Sequence, residues 1–171
     1  LSQVRKKEPK KRKVYTLSSA ALHKLLNWSS DVRVSEEAVV RTRDIVELFI
    51  KEMRDASDIL LDYSHKKTVS KDIILGAIDA KKCLFKSGFI QLVSDSPYNQ
   101  ALLKLSLAPV IKLFIGGRKV RMTKDAKRIL QVSVENFVAR LGDNAVDVAY
   151  SGGRKTIKKR HINSAHRIMS S

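Results

Sequence analysis

Apolar residues recur at steps of three and four along most of the chain. Between Ser35 and Ser64 the series Ala38, Thr42, Ile45, Phe49, Met53, Ala56, Leu60 and Tyr63 marks one face of a single long helix. Ser35 is placed to cap its start, and Glu36 and Glu37 complement the positive end of the helix dipole. A shorter helix over Ser19–Asn27, with Ser18 as its cap, precedes it. Ser64–Lys67 breaks the pattern, and Ser70 then introduces a third helix, Lys71–Lys82. A second long stripe runs through Ala126, Leu130, Val134, Phe137, Leu141, Ala145 and Val148. Ser151-Gly152-Gly153 interrupts it, and Lys158–Met169 reads as a last helix. Ser96-Pro97 opens one more helix, about Tyr98–Leu105.

The two stripes are copies. A gap-free shift of 88 residues lays Val32-Arg33-Val34-Ser35 on Val120-Arg121-Met122-Thr123. It also lays Phe49 on Phe137, and Lys67-Thr68-Val69 on Lys155-Thr156-Ile157. Each copy reads short helix, long helix, short helix. The predicted organisation is a tail over 1–16, a first unit over 17–87, a linker over 88–97 and a second unit over 98–171. A helix of about 30 residues is about 45 Å long. Two helices of about ten residues cannot cover it end to end. The first long helix also carries Val39, Val40, Val46, Ile50, Ile59 and Leu61 off its main stripe. Each unit therefore needs a second long helix across it, and the chain supplies one. The expectation is an all-α molecule in which the long helices cross as an intramolecular pair.

Composition adds a partner class. Thirty-four Lys and Arg against 17 Asp and Glu leave a net charge of +17. Leu1–Lys13 contributes +6 of it, so the remaining +11 lies beyond the tail. Such an excess points to a polyanion. No apolar run reaches the length of a membrane span, and no secretory leader is expected. The single Cys83 allows neither an internal disulfide nor a zinc site, which fits a reducing, intracellular compartment. His23, His65, His161 and His166 lack metal-ligand spacing, and no nucleophile–base pair or phosphate-binding loop is present. The chain reads as a non-enzyme without cofactor, metal or small-molecule substrate.

The short–long–short layout, twice over, resembles the histone fold, and the residues sharpen the likeness. The first half is similar to histone H-four, in Leu17-Ser18-Ser19-Ala20-Ala21-Leu22-His23-Lys24-Leu25 through Arg33-Val34-Ser35, in Thr42-Arg43 and Phe49, and in Lys67-Thr68-Val69 and Ala77. The second is similar to histone H-three, in Lys104-Leu105-Ser106, Arg121, Ala126, Leu130-Gln131, Glu135, Leu141 and Ala149, and in Arg154, Thr156-Ile157, Ile162, Ala165 and Arg167-Ile168. The likeness covers Leu17–Ile168, and the chain resembles the fused doublets of giant DNA viruses (Marseilleviridae type). Fused archaeal histones are doublets as well. The basic run before Tyr15 and Arg160-His161-Ile162 also suit a doublet of the H-two-B/H-two-A type, which stays open. Two departures stand out: His161 holds the place of the Asp that pairs with the second-loop Arg, here Arg154, and Ser151 replaces a His at the self-association surface of the H-three type.

The resemblance implies a handshake pseudo-heterodimer with the first loop of each half beside the second loop of the other. Arg33 and Arg121 would then enter a DNA minor groove, where narrowing concentrates negative potential. Thr156 and Thr68 would hold their guanidinium groups by hydrogen bonds. Lys66, Lys67, Arg118, Lys119, Arg154 and Lys155 would neutralise phosphates, with backbone N–H groups near Ser18 and Thr123 as further anion sites. Lys10, Lys11, Arg12 and Lys13 read equally as a nuclear-import signal or a basic tail. Trp28 reads as a packing residue. The implied partners are double-stranded DNA, a complementary H-two-B/H-two-A-like doublet and a second copy in a tetramer-like core. The expected location is with DNA, in a nucleus, viral factory or virion. A histone-fold scaffold of a transcription or chaperone complex is the competing reading, and the place of the +11 discriminates between them.

Overall fold

The computed structural model describes residues 17–82 and 105–170. The basic tail with Lys10, Lys11, Arg12 and Lys13, Cys83, the linker and nearly all of the helix expected at Tyr98–Leu105 lie outside the described residues.

The first half comprises α1 (Ser19–Leu26), β1 (Arg33–Val34), α2 (Glu36–Tyr63), β2 (Thr68–Val69) and α3 (Lys71–Lys82). The second comprises α4 (Leu107–Ile115), β3 (Arg121–Met122), α5 (Lys124–Ser151), β4 (Thr156–Ile157) and α6 (Lys159–Ser170). Side-chain caps set three helix starts. Ser18 accepts from the Ala21 amide at 3.4 Å, Ser35 from Ala38 at 3.2 Å and Thr123 from Ala126 at 3.2 Å. The cap expected of Ser70 is not made. Its hydroxyl is buried without a hydrogen bond, and the pairing of β2 sets the turn into α3 instead.

The long helices cross at the stacked rings of Phe49 and Phe137, whose centroids lie 4.3 Å apart. These residues are equivalent under the 88-residue repeat, so the pseudo-twofold axis passes between them. One continuous core takes residues from both halves: Leu22, Leu25, Ile45, Val46, Ile50, Met53, Ile74 and Ile78 from the first, and Val110, Phe114, Leu130, Val134, Val138, Leu141 and Ile162 from the second. α5 is buried on every side from Leu130 to Ala139, which is the mark of a central helix. α1 reaches α5 closely enough that a Cβ on Gly142 would stand 2.4 Å from the Leu26 carbonyl oxygen.

One part of the predicted stripe differs. Burial along α2 continues from Phe49 through Met53 and Ser57 to Leu61, while Ala56 and Leu60 are half-buried and Tyr63 is 87 % exposed. Strict steps of four carry the buried line away from Tyr63 by the last turn. Of the off-stripe residues, Val39, Val46, Ile50 and Leu61 are buried, whereas Val40 and Ile59 face outward.

Candidate nucleic-acid interface

Short parallel ladders join the halves at two places. β1 pairs with β4, setting Arg33 opposite Thr156. β2 pairs with β3, setting Thr68 opposite Arg121. The backbone makes these joints: the Arg33 amide donates to the Lys155 carbonyl at 3.1 Å, Ser35 to Ile157 at 2.9 Å, and Thr123 to Val69 at 3.0 Å. Both arginine–threonine pairs read from the repeat are thus brought together. The expected hydrogen bond from guanidinium to threonine hydroxyl is not formed at either ladder. Both guanidinium groups sit on exposed residues, with the threonines half-buried beneath them.

Lys66, Lys67, Lys119, Arg154 and Lys155 are all exposed on the loops that carry the ladders. Segments 64–71, 116–124 and 151–160 together hold twelve Lys and Arg and no Asp or Glu. α2, by contrast, carries eight acids and four bases. Positive charge is therefore concentrated at three of the four loops; the fourth, 27–35, holds Arg33 and Asp31. The first turn of α1 contains no acid, whereas α5 begins with Asp125 beside Lys124. The caps at Ser18 and Thr123 already use one amide each, leaving fewer for an external anion.

Arg118 does not fit the set of free phosphate ligands. It is half-buried and ion-paired with Asp58 of α2. Its Nε donates to the Ile115 carbonyl at 2.9 Å and a terminal nitrogen donates to Phe114 at 3.1 Å, closing the end of α4. No spacing argument signalled this, because Asp58 and Arg118 belong to opposite halves and neither is matched at its repeat position.

His161 takes over a local task at the base of α6. The Lys158 amide donates to its Nδ1 at 3.0 Å, the bond that a Glu or Gln makes in a capping box. Burial of the ring, and then the nearby charge of Arg160, hold its pKa below the ordinary histidine value. Lys158 and Arg154 push the same way, against a hydrogen bond with the Thr156 backbone. Arg160 Nε lies 3.3 Å from the ring's Nε2. Arg154 is exposed and has no carboxylate partner among the described residues.

Among the described residues no cluster of His, Cys, Asp and Glu could hold a metal ion. No helix among them is long and apolar enough to cross a membrane.

Comparison with known proteins agrees with this geometry. Residues 103–165 match the family described as histone-like transcription factor (CBF/NF-Y) and archaeal histone. The chain is similar to the histone from Methanopyrus kandleri, with 19 % identity, 90 % of this chain and 95 % of that one covered, and a TM-score of 0.70. It is also similar to a protein from Thermus thermophilus, with 12 % identity, 89 % and 95 % covered, and a TM-score of 0.68. In both, a single polypeptide matches across the two halves. Short–long–short helices in each half, crossed long helices and loop-to-loop ladders make this chain an all-α protein with the histone fold.

Proposed function

We propose that the protein packages duplex DNA, as a histone doublet that wraps it without reading sequence. The observation that carries this reading is the pairing of the two halves' loops. Each ladder presents one exposed arginine: Arg121 lies between segments 116–124 and 64–71, which hold bases and no acid, and Arg33 faces the basic segment 151–160 while its own loop carries Asp31. Arginine suits minor-groove insertion, and the surrounding lysines suit phosphate neutralisation. Among the described residues no group is arranged to read base edges, which suits binding that does not depend on sequence. The finer picture is a nucleosome-like particle that includes a complementary H-two-B/H-two-A-like doublet and a second copy of this chain. Its place is with DNA in a nucleus, viral factory or virion.

Nuclease digestion of complexes reconstituted on long duplex tests the proposal. Protected fragments of discrete length are expected, and a continuous smear refutes packaging. Replacing both Arg33→Ala and Arg121→Ala is expected to lose protection with a much smaller change in melting temperature. Unchanged protection removes the loop-arginine assignment. A second reading, a scaffold for protein partners, draws support from α2. Its outer side mixes acids with exposed Val40, Leu48, Ile59 and Tyr63. That reading predicts binding to basic proteins at salt concentrations where DNA is no longer held.

A further inference from the structure

The two loop arginines are mounted differently. In the loop before β1, Ser29 Oγ donates to Asp143 of the other half at 2.6 Å. The loop before β3 is tied by a guanidinium that makes three contacts at once: Asp58 of α2, the Ile115 carbonyl and the Phe114 carbonyl. The turn into this loop is compressed against α2 as well. Gly116 has φ 58°, and a Cβ there would meet the Arg54 guanidinium at 2.6 Å. The repeat places Ser30 opposite Arg118 and Val146 opposite Asp58, so the first loop has no such device.

We propose that Arg118 and Asp58 are positioning residues that set the loop carrying Arg121 before DNA arrives, and that Arg118 is not itself a phosphate ligand. The proposal rests on the DNA-binding reading. A cation held by a carboxylate and two carbonyls has little charge left for a phosphate. What it supplies is a loop fixed against the long helix of the other half, three residues ahead of Arg121. Arg121 then reaches a groove without an ordering step, which raises affinity by preorganisation.

The two roles predict opposite signs for one substitution. If Arg118 served a phosphate, Asp58→Asn would release it and tighten DNA binding. As a positioning pair, the same change weakens binding about threefold to tenfold although it removes a negative charge. Arg118→Ala weakens binding similarly and leaves the salt slope unchanged, whereas loss of a phosphate contact lowers that slope by about 0.9. The double variant is no worse than Arg118→Ala alone. Arg118→Lys keeps the charge but cannot reach all three acceptors, and it behaves like Arg118→Ala. Affinity for a short duplex across a salt series reads all four, at a temperature where circular dichroism shows each variant folded. Tighter binding by Asp58→Asn, a reduced slope for Arg118→Ala, or full affinity in Arg118→Lys overturns the proposal.

A measurement without DNA separates this inference from the functional reading. In the free protein, amide exchange across residues 116–123 accelerates in Asp58→Asn while residues 31–36 are unaffected. Unchanged exchange in 116–123 overturns the positioning role. Failure of the wild-type chain to bind duplex overturns only the functional reading.

Discussion

His65 is the one non-glycine residue with positive φ among the described residues, at 53°. It ends α2 where the repeat puts Gly153, at 66°, after α5. A side chain in this left-handed conformation costs about 1 kcal/mol relative to glycine. His65→Gly is expected to stabilise the fold by roughly 0.5–1 kcal/mol in urea denaturation; an unchanged midpoint means the loop, not the residue, sets that cost. His161 and His166 give the opposite kind of dependence, one on pH. Burial leads the depression of both, with Arg160 adding to it at His161, and Arg41 adding to it against Glu52 at His166. A folded-state pKa below the unfolded value of about 6.5 means that the folded chain binds fewer protons near that pH. Stability is therefore complete above about pH 6.5 and is lost as pH falls through the window beneath it. Melting temperatures are expected to fall by a few degrees over that window. The pair of substitutions His161→Gln and His166→Gln flattens that dependence, because a glutamine side chain at the first position can still accept from the Lys158 amide. A slope that survives both changes assigns it to other groups.

At the scale of elements, both long helices were legible because Ser35 and Thr123 mark their starts and each stripe keeps a helical step. The ladders Arg33–Thr156 and Thr68–Arg121 were legible because the repeat forces the loops of opposite halves together. Three-dimensional detail was less so. Periodicity put Tyr63 on the buried face, yet the packed line follows Ser57 and Leu61, a drift that only the crossing partner decides. The sequence placed Arg118 among the phosphate ligands because it stands beside Lys119. Its carboxylate partner is 60 residues away, beyond the reach of any spacing rule. Gly142 has a similar history. A glycine inside a helix is ordinarily a loss of about 1 kcal/mol. Here it admits Leu26, whose carbonyl oxygen and Cα would lie 2.4 and 2.7 Å from any added Cβ. Those are backbone atoms that cannot swing aside. Gly142→Ala is thus expected to destabilise the fold by about 2–3 kcal/mol, despite its better helix propensity. A gain in melting temperature would show that α1 can move off α5 at little cost.

At the scale of the whole molecule, the basic loops adjoin exposed apolar side chains. The loops collect the bases, while the largest exposed apolar side chains include Ile59 and Tyr63 near the end of α2, and Tyr150 and Ile168 on α5 and α6. A second copy in the proposed tetramer-like core needs exposed apolar surface, and Tyr150 (54 % exposed) and Ile168 (53 % exposed) supply it. Bases predominate around them, with Arg154, Arg160 and Arg167 exposed nearby against Asp147 of α5. Like charges then face each other across a symmetric contact, and only added salt or bound DNA screens them. Self-association through this surface is therefore expected to strengthen as salt rises, while affinity for duplex falls. Light scattering across a salt series reads the first trend and duplex binding the second. Tyr150→Glu combined with Ile168→Glu is expected to hold the chain at monomer mass at every salt concentration, with helicity and affinity for a short duplex retained. If that double variant still doubles its mass in high salt, the second copy docks elsewhere, and Ile59 and Tyr63 become the surface to alter next.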